Sequence, residues 1–326
     1  MHQLKISYSG IRGIVNNGLN YNVAVKFGIS FAKLIKEIFK KNKLTFVIGS
    51  DTRPSGILFK SGIINGLKRY NSTIIDAGII PSPTLEVMVK YSKADAGVII
   101  TASHNTLQWN GFKFLTGPDA IVLNAELTEK LFRHYNELKN FNPVEKDFET
   151  VSFEENAIDQ HIMKVLSVVD KELIRKKRFS VAVDSGNGAG LKITLALLDQ
   201  LGCKIIECRA QRDPEPTDKN IAMLSRYVIK YKADIGFAQD MDADRLAVVT
   251  EEGEPIGGEY TLALAVRHLL EKNKHKKKAV VKNSSTSLVI DDLCAMYRTK
   301  LHEVRVGEVN LSSCLLKLAK KNITAF

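Results

Sequence analysis

The sequence predicts an α/β protein built from three successive units on mainly parallel sheets. Two observations carry this. Strand-like apolar runs alternate with helical stretches of ten or so residues, which is the grammar of βαβ units. The alternation restarts twice along 326 residues, a length that suits about two or three domains of roughly 100 to 150 residues each.

In the first unit "LTFVIG" reads as a buried strand, Ser55 to Tyr70 as a helix, "STIIDAG" as a strand, Thr84 to Tyr91 as a helix and "AGVIITA" as a strand. After the polar stretch "NFNPVEKDFET", the second unit opens with "FSVAVDSGNGAG", a strand running into a Gly-rich turn. It continues through helix 189–201, strand "CKIIEC", helix 219–231 and strand "ADIGFAQ". The third follows as helix 258–271, strand "KAVVKN", helix 286–297, strand "LHEVRV", helix 308–320 and a last strand beginning at "NITAF". Domain boundaries are expected at 1–150, 151–253 and 254–326, without a residue-level repeat.

Composition narrows the class. With 44% hydrophobic and 25% charged residues, the chain reads as an ordinary globular protein. No apolar run approaches the ~18 residues of a membrane span, and "MHQLKISYSG" has no signal-peptide core, so a cytoplasmic location without a membrane partner is expected. Cys203, Cys208, Cys294 and Cys314 show no CxxC spacing and read as reduced packing residues. The net charge of +11 is spread along the chain except for "EKNKHKKK" at 271–278, which reads as a solvated, Lys-rich helix end. That run lacks the interleaved aromatics of a nucleic-acid binder, so nucleic acid is not expected as a partner. An anionic, phosphorylated ligand suits the charge better, because positive potential steers it inward.

Ligands of open α/β sheets bind beyond the carboxyl ends of the strands, which directs attention to loops 101–113 and 240–245. The first, within "VIITASHNTLQWNGFKF", carries Ser103, His104, Asn105, Asn110 and Lys113. A hydrolase pair of Ser103 and His104 lacks the G-x-S-x-G elbow, and sequence neighbours rarely make the required hydrogen bond. A turn serine, or a serine that holds or receives a phosphoryl group beside the Lys113 cation, remains.

The second loop, "GFAQDMDADRLAVV", sets Asp240, Asp242 and Asp244 at alternate positions after an apolar strand, with Arg245 next. Clustered carboxylates repel one another unless a cation sits among them, and an all-oxygen set suits Mg²⁺ or Ca²⁺ rather than Zn²⁺. An EF-hand would need Gly at its sixth position and flanking helices; here stand Arg245 and strand-like flanks. An aspartyl nucleophile at Asp240 and a solvated acidic turn stay open.

Other loops contribute weaker signals. In "SGIRG", Arg12 stands between Gly10 and Gly13, as a phosphate contact or an ordinary tight turn. "GSDTRPSG" places Pro54 and Ser55 at a helix start with Asp51 and Arg53 just before it, an anion-binding turn or a cap, read first as a cap. "DSGNGAG" lacks the GxGxxG and Walker spacings and reads first as strand-to-helix packing.

Taken together, "SGIRG", "DTRPSG", "GIIPSPT", "TASHN" with "NGFK", "DSGNGAG", "PEPT", "DMDADR" and "VGEVN" resemble the α-D-phosphohexomutase superfamily, in the family's order and across nearly the whole chain. The resemblance implies three consecutive α/β domains with mixed, mainly parallel sheets, and interconversion of hexose 6-phosphates and 1-phosphates. It implies Ser103 as the phosphoserine, with Asp240, Asp242, Asp244 and a phosphoryl oxygen on Ser103 around Mg²⁺. Arg12, Arg245 and Lys113 would line the phosphate path, with Asn110 as a further polar contact of the loop, and His104 or Lys113 would transfer protons. A hexose 1,6-bisphosphate would be the intermediate and activator.

"TASHNTLQWNGFKF", "GEYTLALAV" and "NSSTS" look most like phosphoglucosamine mutases, with phosphomannomutase or phosphoglucomutase as alternatives. Thr106 and Ser50 depart from the family's usual Pro and Arg. The family pattern continues past a strand like "NITAF" into a sugar-reading Gly-Glu loop and a fourth domain. A chain ending at Phe326 is therefore expected to hold the chemical half of the site, and to be weak or inactive alone. A noncatalytic metal- or phosphosugar-binding fragment is the competing reading.

Overall fold

The computed structural model describes residues 4–7, 10–138, 140–141, 151–274 and 276–326. The polar stretch "NFNPVEKDFET" therefore lies, apart from Asn140 and Phe141, outside the described residues. The chain forms two compact units, Met1–Glu254 and Pro255–Phe326.

The first unit begins with strands β1 (Lys5–Ser7), β2 (Gly10–Val15) and β3 (Gly18–Leu19) and helix α1 (Tyr21–Phe39). The expected alternation follows as β4 (Leu44–Ser50), α2 (Gly56–Leu67), β5 (Ser72–Ile79), α3 (Ser82–Tyr91) and β6 (Ala96–Ile100). Then come β7 (Trp109–Thr116), β8 (Ile121–Val122), α4 (Ala125–Glu137) and β9 (Val151–Phe153). The sheet order is β1-β2-β7-β6-β4-β5-β9. β6, β4, β5 and β9 run parallel, while β7 and β2 extend the sheet antiparallel. From β4 the chain steps one way to β5, then back across to β6. The order thus reverses between β4 and β6, and the crevice beyond their carboxyl ends is where open α/β sheets bind ligands.

Helix α1 was not visible as part of the alternation, yet it supplies much of the core. Asn20 caps it by accepting from the Val23 N–H, and Phe27, Phe31, Leu34 and Ile35 pack with Phe46, Phe59, Phe112 and Phe114. Its contact with α2 needs two glycines: a Cβ on Gly28 would lie 2.4 Å from Ile63 O, and one on Gly66 2.3 Å from Val25 O.

The rest of this unit holds α5 (Ala157–Leu166), α6 (Lys171–Lys177), β10 (Ser180–Asp184), α7 (Gly190–Gln200), β11 (Lys204–Glu207), α8 (Ala222–Tyr231), β12 (Ile235–Gln239) and β13 (Leu246–Thr250). Its sheet runs β11-β10-β12-β13. The first three strands are parallel, and β13 returns antiparallel to β12, so 240–245 is the connection of a hairpin. The second unit comprises α9 (Gly257–Lys272), β14 (Lys278–Asn283), α10 (Val289–Met296), β15 (Lys300–Val304), α11 (Glu308–Ala319) and β16 (Thr324–Ala325), with a parallel sheet β15-β14-β16.

The sheets are mixed and mainly parallel, as expected. Helix starts move where polar side chains hold turns. The helix expected from 286 starts at Val289, because the Asn283 carboxamide oxygen accepts from Ser285 N and Thr286 Oγ1. The helix expected from 219 starts at Ala222, after a turn in which Asn220 N donates to Thr217 O. Among the described residues no helix is long and apolar enough to cross a membrane. The four cysteines are free and at least partly buried; burial, reinforced by Asp184, pushes the Cys208 thiol up to about 11, which makes it a poor nucleophile.

Candidate active site

Loop 101–105 leaves β6 with Ser103 in the left-handed region, at φ 51°. Its backbone N–H donates to Thr101 Oγ1 at 2.8 Å, and the side chain is buried. Serine rarely adopts this conformation without support. Arg53 supplies it. One guanidinium nitrogen donates to Ser103 O and Asn105 O, at 2.6 and 2.7 Å. The other terminal nitrogen donates to Thr106 O and Trp109 O, at 2.7 and 3.0 Å. Arg53 Nε donates to Asp51 Oδ2 at 3.0 Å, and that oxygen also accepts from Thr101 Oγ1 at 2.6 Å. "DTRPSG" is thus more than a helix cap. Ser55 makes no capping bond and instead accepts from Asn110 Nδ2 at 2.8 Å.

The hairpin connection after β12 arrives at the same place. Ser103 Oγ donates to Asp240 Oδ2 at 2.8 Å, 137 positions away in sequence. Oxygens of Asp240, Asp242 and Asp244 lie within 4.8 Å of one another. Lys113, on β7, reaches between two of them, with Nζ 2.6 Å from both Asp242 Oδ2 and Asp244 Oδ2. Ser82, in "GIIPSPT", donates from its hydroxyl to Asp242 Oδ2 at 2.5 Å and from its N–H to Asp242 O at 2.9 Å.

Three carboxylates this close cannot all ionise freely. Burial, and then Asp242 and Asp244, push the Asp240 carboxyl up to about 7. Burial opposes the charge of Asp242 as well, but Lys113 outweighs it and holds that carboxylate below its usual range. Burial works against the Lys113 ammonium too, and Asp242 and Asp244 overcome it, so its pKa is raised. Asp242 Oδ1 is buried without a hydrogen-bond partner. That orphaned oxygen, in an all-oxygen set crowded around one lysine, fits a hard divalent cation.

Arg12, on β2, stands opposite Gly111 of β7 and donates to Asn105 Oδ1 at 2.7 Å. The strands approach so closely that a Cβ on Gly111 would sit 2.1 Å from Ile11 O. His104 Nδ1 lies 3.3 Å from Ser103 Oγ; burial, then the Arg245 and Arg12 charges, lower its pKa. Arg245 donates to Glu215 Oε1 of "PEPT" at 2.6 Å, and its N–H to Asp240 Oδ1 at 3.2 Å.

The structure thus gathers Ser103, His104, Lys113, Asp240, Asp242 and Asp244, with Arg12 and Arg245 beside them. Asn110 is fully buried, its side-chain carboxamide oxygen accepting from Gly111 N. Arg212 was not singled out from sequence. Its Nε meets Asp184 Oδ2 at 2.8 Å and a terminal nitrogen meets Gln239 O at 2.6 Å, so it ties the end of β10 to the residue before Asp240. "DSGNGAG" packs directly on the acidic loop: Ala189 N donates to Met241 O, and a Cβ on Gly188 would lie 2.7 Å from the same oxygen.

Models of the phosphoglucomutase/phosphomannomutase α/β/α domains I, II and III match residues 3–141, 159–253 and 257–320. A phosphoglucomutase/phosphomannomutase of Thermococcus kodakarensis is 34% identical over 325 residues, covering 94% of this chain and 68% of that protein. The chain belongs to the phosphoglucomutase/phosphomannomutase family. A relative from Methanococcoides burtonii named "Probable phosphoglucosamine mutase" is 35% identical over 311 residues, covering 92% of this chain and 67% of its own length. The fold is shared with a phosphoglucomutase/phosphomannomutase family protein of Burkholderia thailandensis. That structure has a TM-score of 0.79 at 20% identity and covers 97% of this chain and 70% of that one. This phosphohexomutase chain, of an isomerase family that moves phosphoryl groups within a sugar, spans about two thirds of the length of the relatives it matches.

Proposed function

We propose that the chain carries the phosphoryl-transfer centre of a phosphohexomutase that interconverts hexose 6-phosphate and hexose 1-phosphate through a phosphoserine at Ser103. The substrate read from "TASHNTLQWNGFKF" and "NSSTS" is glucosamine phosphate, with mannose or glucose phosphate as alternatives. The observation that carries the proposal is the 2.8 Å bond from Ser103 Oγ to Asp240, which sets a loop serine against three carboxylates from a distant segment. The reading keeps three domains, 1–150, 151–253 and 254–326, with the reacting serine on the first and the acidic loop on the second.

Asp240, Asp242 and Asp244 would hold Mg²⁺ together with an oxygen of the Ser103 phosphoryl group. Bound there, Mg²⁺ supplies positive charge to the transferring phosphoryl oxygens. The chain's own groups do the rest. A sugar hydroxyl oxygen bonds to the phosphorus of phospho-Ser103, the bond from phosphorus to Oγ breaks, and the hydroxyl proton passes through His104 to Oγ. His104 suits this role because its lowered pKa keeps it neutral near pH 7, whereas Lys113 is locked as a cation between two aspartates. Arg12 and Arg245, with Lys113, line the path of the transferring phosphate. After the bisphosphate turns around, Ser103 Oγ takes the other phosphoryl group and the isomerised monophosphate leaves.

Intact mass of the purified chain tests this, read after incubation with a hexose 1,6-bisphosphate and Mg²⁺ and again after glucosamine 6-phosphate or mannose 6-phosphate. A phosphate-sized adduct absent from Ser103→Ala and discharged by one sugar phosphate is expected. Failure to load any adduct refutes the proposal.

A further inference from the structure

The basic run at 271–278 plays no part in that chemistry. In the second compact unit it forms part of the wall of a concavity of about 500 Å³. Lys274, Lys276 and Lys277 enter from the connection between α9 and β14, and Lys278 from the first position of β14. Arg298 enters from the turn between α10 and β15, Lys300 from the first position of β15, and Lys321 from the turn after α11. Strand register explains the convergence. Ala279 pairs with Lys300 and Lys278 with Thr324, so three connections feed the amino ends of adjacent parallel strands and deliver seven cations to one place.

No aspartate or glutamate among the described residues lines the concavity, while Leu318 and Ile323 add apolar lining. His302 Nε2, also at this site, is buried without a hydrogen-bond partner. The neighbouring carboxylate Glu271 is already engaged by Arg267 and the Tyr297 hydroxyl.

A solvated lysine cluster at helix ends is the ordinary account of such a run, since helix carboxyl ends attract cations. Three helices, α9, α10 and α11, do end here. Each end supplies about −0.5 of a charge, which makes roughly −1.5 against seven positive groups. Among the described residues of the cluster, Lys278 is bonded to a helix end, its Nζ 3.0 Å from Leu270 O. Helix ends therefore leave most of the charge unmatched.

We propose that this concavity is a separate anion site that binds a small molecule bearing clustered phosphates, of the di- or triphosphate class. Its volume falls in the ~300–1,000 Å³ range of small-molecule pockets. Charge that converges on a concavity, rather than running as a stripe, selects a compact polyanion over a nucleic-acid backbone. The site lies at the amino ends of its strands, opposite the loops where α/β sheets bind substrates, and so is additional to the sheet's usual ligand edge.

Calorimetric titration with inorganic tripolyphosphate tests it, at about 50 mM and about 200 mM salt. The native chain is compared with Lys276→Ala/Lys300→Ala/Lys321→Ala, with Lys300→Glu as a single reversal should the triple variant unfold, and with Arg245→Gln. Saturable binding is expected that weakens with salt, persists in Arg245→Gln and falls at least tenfold in the lysine variants. Absence of saturable binding at low salt, or equal affinity in the lysine variants, overturns the proposal. Loss in Arg245→Gln alone would place the binding in the Ser103 site instead, and tighter, length-dependent binding of a single-stranded DNA oligonucleotide would assign the surface to nucleic acid; either result overturns it.

Discussion

Replacing Arg53 with methionine removes the group that holds the Ser103 loop while keeping much of its volume. Both side chains of the Arg53–Asp51 pair are fully buried, and the guanidinium serves four carbonyls as well as the carboxylate. Breaking a buried ion pair from one side costs about 3–5 kcal/mol, and each buried acceptor left without a donor costs ~1–3 kcal/mol more. Two effects soften the sum. Burial already pushes Asp51 above the ordinary carboxylate range despite Arg53, which lessens the cost of losing its partner, and water can reach part of the loop. The net loss comes to roughly 4–7 kcal/mol. At ~2–4 °C per kcal/mol for a large domain, melting falls by roughly 8–28 °C. The assay is urea and thermal unfolding of Arg53→Met, Asp51→Asn and the double variant, read as a cycle. Coupling above about 2 kcal/mol is expected. An Arg53→Met protein within about 1 kcal/mol of native, or strictly additive substitutions, refutes the reasoning, because the loop would then stand without the pair.

Lys113→Met leaves Asp242 and Asp244 without their cation, so the metal-free protein should lose about 3–5 kcal/mol and show a larger Mg²⁺-induced rise in Tm than the native chain; equal responses would contradict the shared-site geometry. His161 donates to or accepts from Thr84 Oγ1 at 2.8 Å and burial lowers its pKa. Its neutral form is therefore favoured by folding: its contribution is intact above the unfolded value of about 6.5 and lost as pH falls through the lowered folded value. His161→Gln should show a smaller drop in Tm than the native chain between about pH 7.5 and about pH 5, and an unchanged pH profile counts against it. Gly111→Ala places a methyl 2.1 Å from Ile11 O and should cost about 1–3 kcal/mol or more by prising β2 from β7; an unshifted urea midpoint would show that the strands can part freely.

Legibility in the sequence follows from where an apolar pattern is interrupted. Ser103, His104, Asp240, Asp242 and Asp244 stand out because polar side chains follow closely on apolar strands, the fully buried "AGVII" and the partly buried "IGFAQ", and a strand end is where a sheet presents a loop. The parallel alternation was equally plain, since β4, β5 and β6 each have flanking helices of ordinary length. What periodicity could not supply was α1, which precedes the first strand of the alternation, and the antiparallel additions β7, β2 and β1, whose pairing is set by tertiary contact. The holding roles of Arg53 and Arg212 escaped for a different reason. Their partners are mostly backbone carbonyls, which every residue possesses, so no partner motif marks them. Residues that present chemistry leave a trace in the pattern of side chains. Residues that hold a loop in place do so through the backbone, and their importance emerges only once the chain has folded back on itself.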